Sequence, residues 1–406
     1  MLERVIYAGI HNPSFAQGSE ALQRLADLPV PTKQVERLTQ RIGAERCTER
    51  DAAVRHYVER PLLERKAVPP GVVAPDLAVV QMDGGRLQIL DRRASPQEAS
   101  APEQGRVASG HWREDKVGLL ATMSSTASAV DPCPTIPEHF VDPLRILKLT
   151  RQIKGSAGVV EEEAPDDAST NSAPDPDPEE SYTAPVLEQR SVVATRAEVH
   201  SFGAILAQAA WARGFYQAQR HAFLGDGSSA NWGVWERHFS NFTAIVDFIH
   251  ALTYVFSAAM AGRSFEQGWP IYTEWIGRVW AGDIEAVLAA LAQRQAELGP
   301  AAADEPETSP RQRVAEALGY FDNQKERMRY ASYRQQGLPI TSSHIESTIK
   351  QINQRVKGSE KFWSEGGAEA ILQLRADALS ETEPLADFWQ RRQATATGQR
   401  GYSCAA

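Results

Sequence analysis

Cysteine is nearly absent from this chain. Cys47, Cys133 and Cys404 are the three among 406 residues, far apart and odd in number. That pattern excludes a disulfide framework and a Cys-x-x-Cys metal site, and it points to the reducing cytoplasm. Long apolar runs are missing too, which excludes a transmembrane helix, and the opening Met-Leu-Glu-Arg does not read as a signal peptide. There is no glycine-rich phosphate loop and no internal repeat.

Positive charge is also in deficit, with a net charge of −9. A nucleic-acid partner looks excluded until the charge is located. Gly155 to Gln189 carries ten Asp or Glu and no Lys or Arg, so the rest of the chain stands at about +1. This acidic stretch is rich in Pro and Ser and buries too little to order itself; it reads as a disordered loop over 155–189.

What is present is enough for a sizeable core, with 42% hydrophobic residues. Residues 1–74 read as a helical region, with amphipathic stretches at Gly18–Leu28, Thr32–Ile42 and Asp51–Lys66. It is a candidate DNA-binding region, and a helix-turn-helix competes there with an ordinary helical hairpin. At Pro75 the period changes. Asp76–Asp83 reads as a buried strand, Gly84-Gly85 as a turn, Arg86–Leu90 as the return strand and Trp112–Met123 as a third, a three-stranded meander. A short helix is expected within Asp131–Leu149.

From Ser191, helix and strand alternate. Glu198–Arg220 is helical, His221–Gly225 is a strand running into Asp226-Gly, Asn231–His238 is helical, and Ala244–Asp247 is a strand leading into a helix. Such alternation predicts parallel strands with crossover helices. Residues 251–336 carry no strand signal and read as an all-helical insertion, with helices at Leu252–Ala261, Tyr272–Trp280, Ile284–Leu298 and Arg311–Arg329. Five of the nine tryptophans fall between Trp232 and Trp280, where helix packing explains them more simply than base stacking. Residues 381–406 form a C-terminal tail.

The stretch most loaded with chemistry follows Pro339. Ile345, Ile349, Ile352 and Val356 form one apolar stripe of a helix. Glu346, Lys350, Asn353 and Lys357 repeat the same steps one residue on, about 100° around the axis. A carboxylate therefore borders the buried face, with cations ranked behind it. Ser343-x-x-Glu346 is equally a capping box, and Asp83 before Gly84 is equally a turn residue. Asp83, Asp226 and Glu346 come from two strand ends and a helix start. If the strands are neighbours and the helix covers the sheet, they converge. Three converging carboxylates repel one another and suit hard cations, Mg²⁺ or Mn²⁺.

The ordered set is Asp83-Gly-Gly-Arg, Trp112-Arg-Glu-Asp-Lys116-Val-Gly, Leu-Gly-Asp226-Gly, Asp247-Phe-Ile-His250, a helical insertion, Ser343-His-Ile-Glu346-Ser, then Arg355-Val-Lys357-Gly with Phe362-Trp363. It resembles the DDE transposases of bacterial insertion sequences, in the Kra-type group allied to the Mutator-like lineage, over most of residues 75–380.

The resemblance implies a fold class: α/β, an RNase H-like mixed sheet with flanking helices, built from 75–250 and 337–380 and interrupted by the helical insertion 251–336. It implies two Mg²⁺ or Mn²⁺ ions held by Asp83, Asp226 and Glu346, with strand cleavage and strand transfer at element ends. It implies a supporting role for His250, paired with Asp247, where the alternative is an ordinary helix-start pair. Lys350, Arg355, Lys357 and Lys361 would contact DNA backbone. The partners implied are element-end and target DNA and a second copy of the chain, at least a dimer, nucleoid-associated and with no membrane. Related readings are an RNase H-like nuclease without strand transfer and a non-catalytic DNA-binding remnant. Full-length relatives carry a longer N-terminal region, often with zinc ligands; these 74 residues hold no zinc pattern.

Overall fold

A computed structural model describes residues 1–90, 112–154, 184–358 and 360–395. Its centre is a mixed sheet with strand order β3-β2-β1-β4-β5. The strands are β1 (Leu77–Ile89), β2 (Trp112–Ser124), β3 (Val186–Thr195), β4 (Arg220–Gly225) and β5 (Thr243–Val246). β1 pairs antiparallel with β2 and β2 with β3, whereas β1, β4 and β5 are mutually parallel. A two-residue strand, β6 (Phe362–Trp363), pairs with the far end of β1 at Gln88 and Ile89.

Two expectations fail here. The Gly84-Gly85 turn does not form: β1 runs straight through it, with Gly84 opposite Lys116 and Gly85 opposite Asp115. A glycine pair permits a turn but does not force one, and the long partner strand supplies continuous hydrogen bonds that a hairpin would forgo. The meander is thus two long strands completed by β3. That third strand begins at Val186, inside the stretch read as disordered loop, and its alternating Val192 and Ala194 are buried. Residues 155–183 of that stretch lie outside the described residues.

One face of the sheet carries most of the helices: α4 (Pro143–Lys154), α5 (Val199–Ala212), α6 (Ser229–His238), α7 (Phe248–Ala259), α8 (Phe265–Ala281), α9 (Ile284–Leu298), α10 (Pro310–Gln324) and α11 (Tyr330–Gln335). Their core runs continuously from Leu77, Val79 and Phe223 to Tyr272, Val287 and Phe321. The block from α8 to α11 has no strand, as the sequence predicts, and α9 matches its expected bounds.

The other face is covered by α12 (Ser343–Val356) and α13 (Glu365–Leu379), which bury Ile345, Ile352, Val356 and Ile371 against Leu87, Val117, Leu119 and Val192. The amphipathic stripe read from sequence is therefore what seats α12 on β1 and β2.

The N-terminal helices α1 (Leu2–His11), α2 (Phe15–Ala26) and α3 (Thr32–Glu59) pack behind α13 with α14 (Pro384–Ala394). The stretches Thr32–Ile42 and Asp51 onward are one helix, not two. Gly43 within it lies so close to α13 that a Cβ would stand 2.4 Å from the Ala370 carbonyl oxygen. A buried ion pair, Arg46 Nε to Asp377 Oδ2 at 2.9 Å, fastens the same contact. Among the described residues no helix is long and apolar enough to cross a membrane.

Candidate active site

The parallel register brings the aspartates together. Leu77 pairs with Arg220 and Gln81 with Leu224, a constant offset of 143. Asp83 and Asp226 differ by that same 143, so they stand at one level on adjacent strands, two residues past the last pair. Gly225 pairs with Val246, so the next residues, Asp226 and Asp247, also share that level. Three aspartates thus follow one another across β1, β4 and β5. The carboxyl ends of parallel strands are where α/β sheets place their chemistry.

Two buried anchors bring the first turn of α12, which carries Glu346, against β1 and the end of β5. The Ile345 amide donates to Gln81 Oε1 at 3.2 Å, two residues before Asp83 on β1. Asp247 accepts from the Ser342 hydroxyl at 2.6 Å and the Ser342 amide at 3.2 Å. The first turn of α12 is thereby tied to both β1 and the end of β5. No side chain caps this helix, so Glu346 is not taken up in a capping box.

A cavity of about 760 Å³ opens beside these groups, lined by Asp83, Asp226, Asn231, Asn353 and Lys357 among others. Glu346 is not in its lining; it is half-buried at the other end of the α12 edge that carries Asn353 and Lys357. The carboxyls feel one another. Asp83 is raised above the ordinary aspartate value by burial and then by Asp226 and Asp247, against the Gly84 amide and His250. Glu346 is raised by burial, Asp247 and Asp83, against His250 and Lys350.

His250 is the counter-charge. Burial alone would lower its pKa, but the hydrogen bond from Nδ1 to Asp247 Oδ2 at 2.9 Å and the charges of Asp247, Asp226 and Asp83 lift it to about 9. The imidazolium sits among acids with one nitrogen fixed. Asp247 also accepts from the Ile249 amide, so both its oxygens are committed to protein donors. It acts as a scaffold for His250 and α12.

The Asp226 loop is braced from the insertion. Tyr320 Oη on α10 donates to the Asp226 carbonyl and Gln324 Nε2 to the Gly227 carbonyl, both at 2.9 Å. Gly227 has φ +102°, and a Cβ there would lie 2.7 Å from the Tyr320 ring. Buried Asn231 donates to Asp226 Oδ1 at 2.8 Å, and the Ser228 amide does the same. Sequence reasoning missed Asn231, Tyr320, Gln324 and Gln81. Each acts across a tertiary contact, and nothing in its local spacing announces it.

The four cations assigned to DNA divide into two pairs. Lys350 and Lys357 are exposed on the Glu346 edge of α12, with Lys357 Nζ 5.7 Å from the centre of the Trp112 ring. Arg355 is 3% exposed and faces the N-terminal helices. Lys361 Nζ reaches back to the Gln354 and Arg355 carbonyls at 3.1 and 3.3 Å, closing the end of α12.

The donors suit a hard divalent ion: every candidate ligand is a carboxylate oxygen, and Asp83 and Glu346 are not neutralised by an arginine. Among the described residues, no three His, Cys, Asp or Glu side chains close around a single point. Magnesium does not need such a cage, since it keeps waters and takes one or two carboxylates plus substrate phosphate. No protein-family profile matches the chain, and no curated protein does.

Proposed function

We propose that this protein is a DDE-type transposase with an RNase H-like catalytic core, cutting and joining DNA at the ends of a mobile element. The observation that carries the reading is the shared level of Asp83 and Asp226 on adjacent parallel strands, with Glu346 held over the same strand by Gln81 and Asp247. The strand order 3-2-1-4-5, with the first three strands antiparallel and β1, β4 and β5 parallel, is the sheet an RNase H-like core requires.

Asp83, Asp226 and Glu346 would hold one or two Mg²⁺ or Mn²⁺ ions. When bound, such ions activate a water or 3′ hydroxyl and stabilise the leaving oxygen of a phosphodiester. The chain's own groups do the rest. Asn231 and the Ser228 amide hold Asp226 Oδ1, leaving Oδ2 for a ligand. Tyr320 and Gln324 fix the loop that carries it. His250, cationic at neutral pH and locked by Asp247, places positive charge beside the site of the scissile phosphate. Lys350 and Lys357 line the approach for backbone phosphates. Two chains would pair two element ends.

The test is a supercoiled plasmid carrying the element's terminal repeats, incubated with protein and Mg²⁺ or Mn²⁺. Joined products are expected. Nicks without joining would restrict the activity to a nuclease, and DNA binding with no cleavage would leave a non-catalytic remnant.

A further inference from the structure

A second cavity, about 780 Å³, lies on the opposite side of α12, at the far end of β1. Ile89 in its wall is six residues beyond Asp83 on one strand, about 20 Å away at strand rise. Its walls are Phe15, Trp363 and Arg355, and its edges are Ser14, Ser364 and Lys361.

Arg355 has no counter-ion there. Its Nε donates to the Gly9 carbonyl at 2.9 Å, and Nη2 is buried without a partner. The guanidinium sits in the corner made by Phe15 and Trp363, which meet edge to face, 4.4 and 5.1 Å from their ring centres. Behind it lies Arg375, 8% exposed and bound to the Gln351 and Ile10 carbonyls and to His11 Nδ1. Among the described residues neither arginine has a carboxylate partner. Two buried guanidinium groups answered only by carbonyls and an imidazole leave positive potential in the cavity.

Two helices begin at the same cavity. Ser14 caps α2 through the Gln17 amide, and Ser364 caps α13 through the Gly367 amide. The first amides of each helix have no intrahelical acceptor, and each N-terminus carries partial positive charge. Three glutamates also reach the cavity, but Glu36 is paired with Lys33 at 2.9 Å and Glu365 leans towards Arg196 at 4.0 Å. Glu360, exposed at the mouth, opposes the field without such a partner among the described residues.

We propose that this cavity is a phosphate-binding site: the Arg355 guanidinium and the N-termini of α2 and α13 take one phosphate group, and the Phe15 and Trp363 rings hold the guanidinium in place. The group belongs either to a free phosphate or to a nucleic-acid backbone passing along α12. Only the second source rests on the transposase reading, and neither requires cleavage.

Arg355 is packed too tightly for its removal to be a clean test. Ser14→Asp and Ser364→Asp keep the caps, since Asp caps as well as Ser, while adding a carboxylate to the cavity. The probes are inorganic phosphate, followed by calorimetry at fixed ionic strength, and a short random-sequence DNA duplex. Loss of phosphate affinity by about tenfold in both variants at unchanged Tm is expected if a free group suffices. A similar loss for the duplex alone assigns the site to backbone phosphate. If both variants fold and neither ligand's affinity moves by more than about twofold, the site does not exist.

Discussion

The two edges of α12 make opposite electrostatic statements. On one edge Glu346 joins Asp83, Asp226 and Asp247, four carboxylates with His250 and Lys350 for company. On the other, Arg355 and Arg375 are buried with no acid between them. Two other buried arginines are answered by acids: Arg46 by Asp377, and Arg334 by Asp131. A buried charge without a partner costs several kcal/mol, and an anion in the cavity would offset that cost for Arg355. An acid edge that wants a cation and a basic edge that wants an anion, on one helix, suit a ligand carrying both phosphates and metal ions.

The comparison breaks most readily at the acid edge. Asp226→Asn should lower metal-dependent strand cleavage by more than about 100-fold, beyond the effect of a typical outer-shell change, while leaving Tm equal or higher because a repulsion is relieved. Gel assays on the plasmid, with melting curves in parallel, check both halves. A fall in Tm with full activity per folded molecule would make Asp226 a structural turn residue.

Tyr320→Phe removes one hydroxyl from the brace on the Asp226 carbonyl and touches nothing that meets DNA. Mn²⁺ affinity should weaken by about tenfold or more, as for other outer-shell positions, with the sheet intact. Unchanged Mn²⁺ affinity would mean that the insertion only packs against the loop.

The smallest effect concerns Asp115, fully buried beside Gly85 with both carboxylate oxygens unpartnered. Burial lifts its pKa from 3.8 to about 6. Below 3.8 the group is protonated in both states; between the two values only the folded chain keeps the proton; above about 6 the folded chain buries a charge. Asp115→Asn should therefore gain stability over the parent as pH rises from about 4 to about 6, then hold a constant lead of about 1–3 kcal/mol. Denaturant melts across that range measure it, and a lead that does not change with pH would show that Asp115 does not titrate there.

Much of this architecture was legible in the residues. The Ile345, Ile349, Ile352 and Val356 stripe located α12 and the face it buries, and the run from Ile284 to Leu298 gave α9 to the residue. Gly84-Gly85 misled, because whether a glycine pair turns depends on the partner strand, which lies some thirty residues away. β3 was hidden because Val186 follows an acidic, Pro-rich stretch that sets the composition of any window containing it. At the site, Asp83 and Glu346 were each readable as a turn or a cap, and the grouping of the two with Asp226 hung on an assumed neighbourhood of strands and helix and on a resemblance. The register offset that places two of them level is a property of strand pairing and has no trace in local sequence. Arg355 shows the reverse case: read as one of four surface cations, it is buried, because its place on the helix turns it towards Phe15 and Trp363.

The proposed function turns on Asp83, Asp226 and Glu346 sharing divalent ions. Crystals of the protein soaked in Mn²⁺, with anomalous scattering recorded at the manganese edge, address it directly. At least one peak is expected within about 2.0–2.3 Å of oxygens from Asp83 and Asp226, with Glu346 as a further ligand. Full soaking that leaves no manganese at any of the three carboxylates would contradict it.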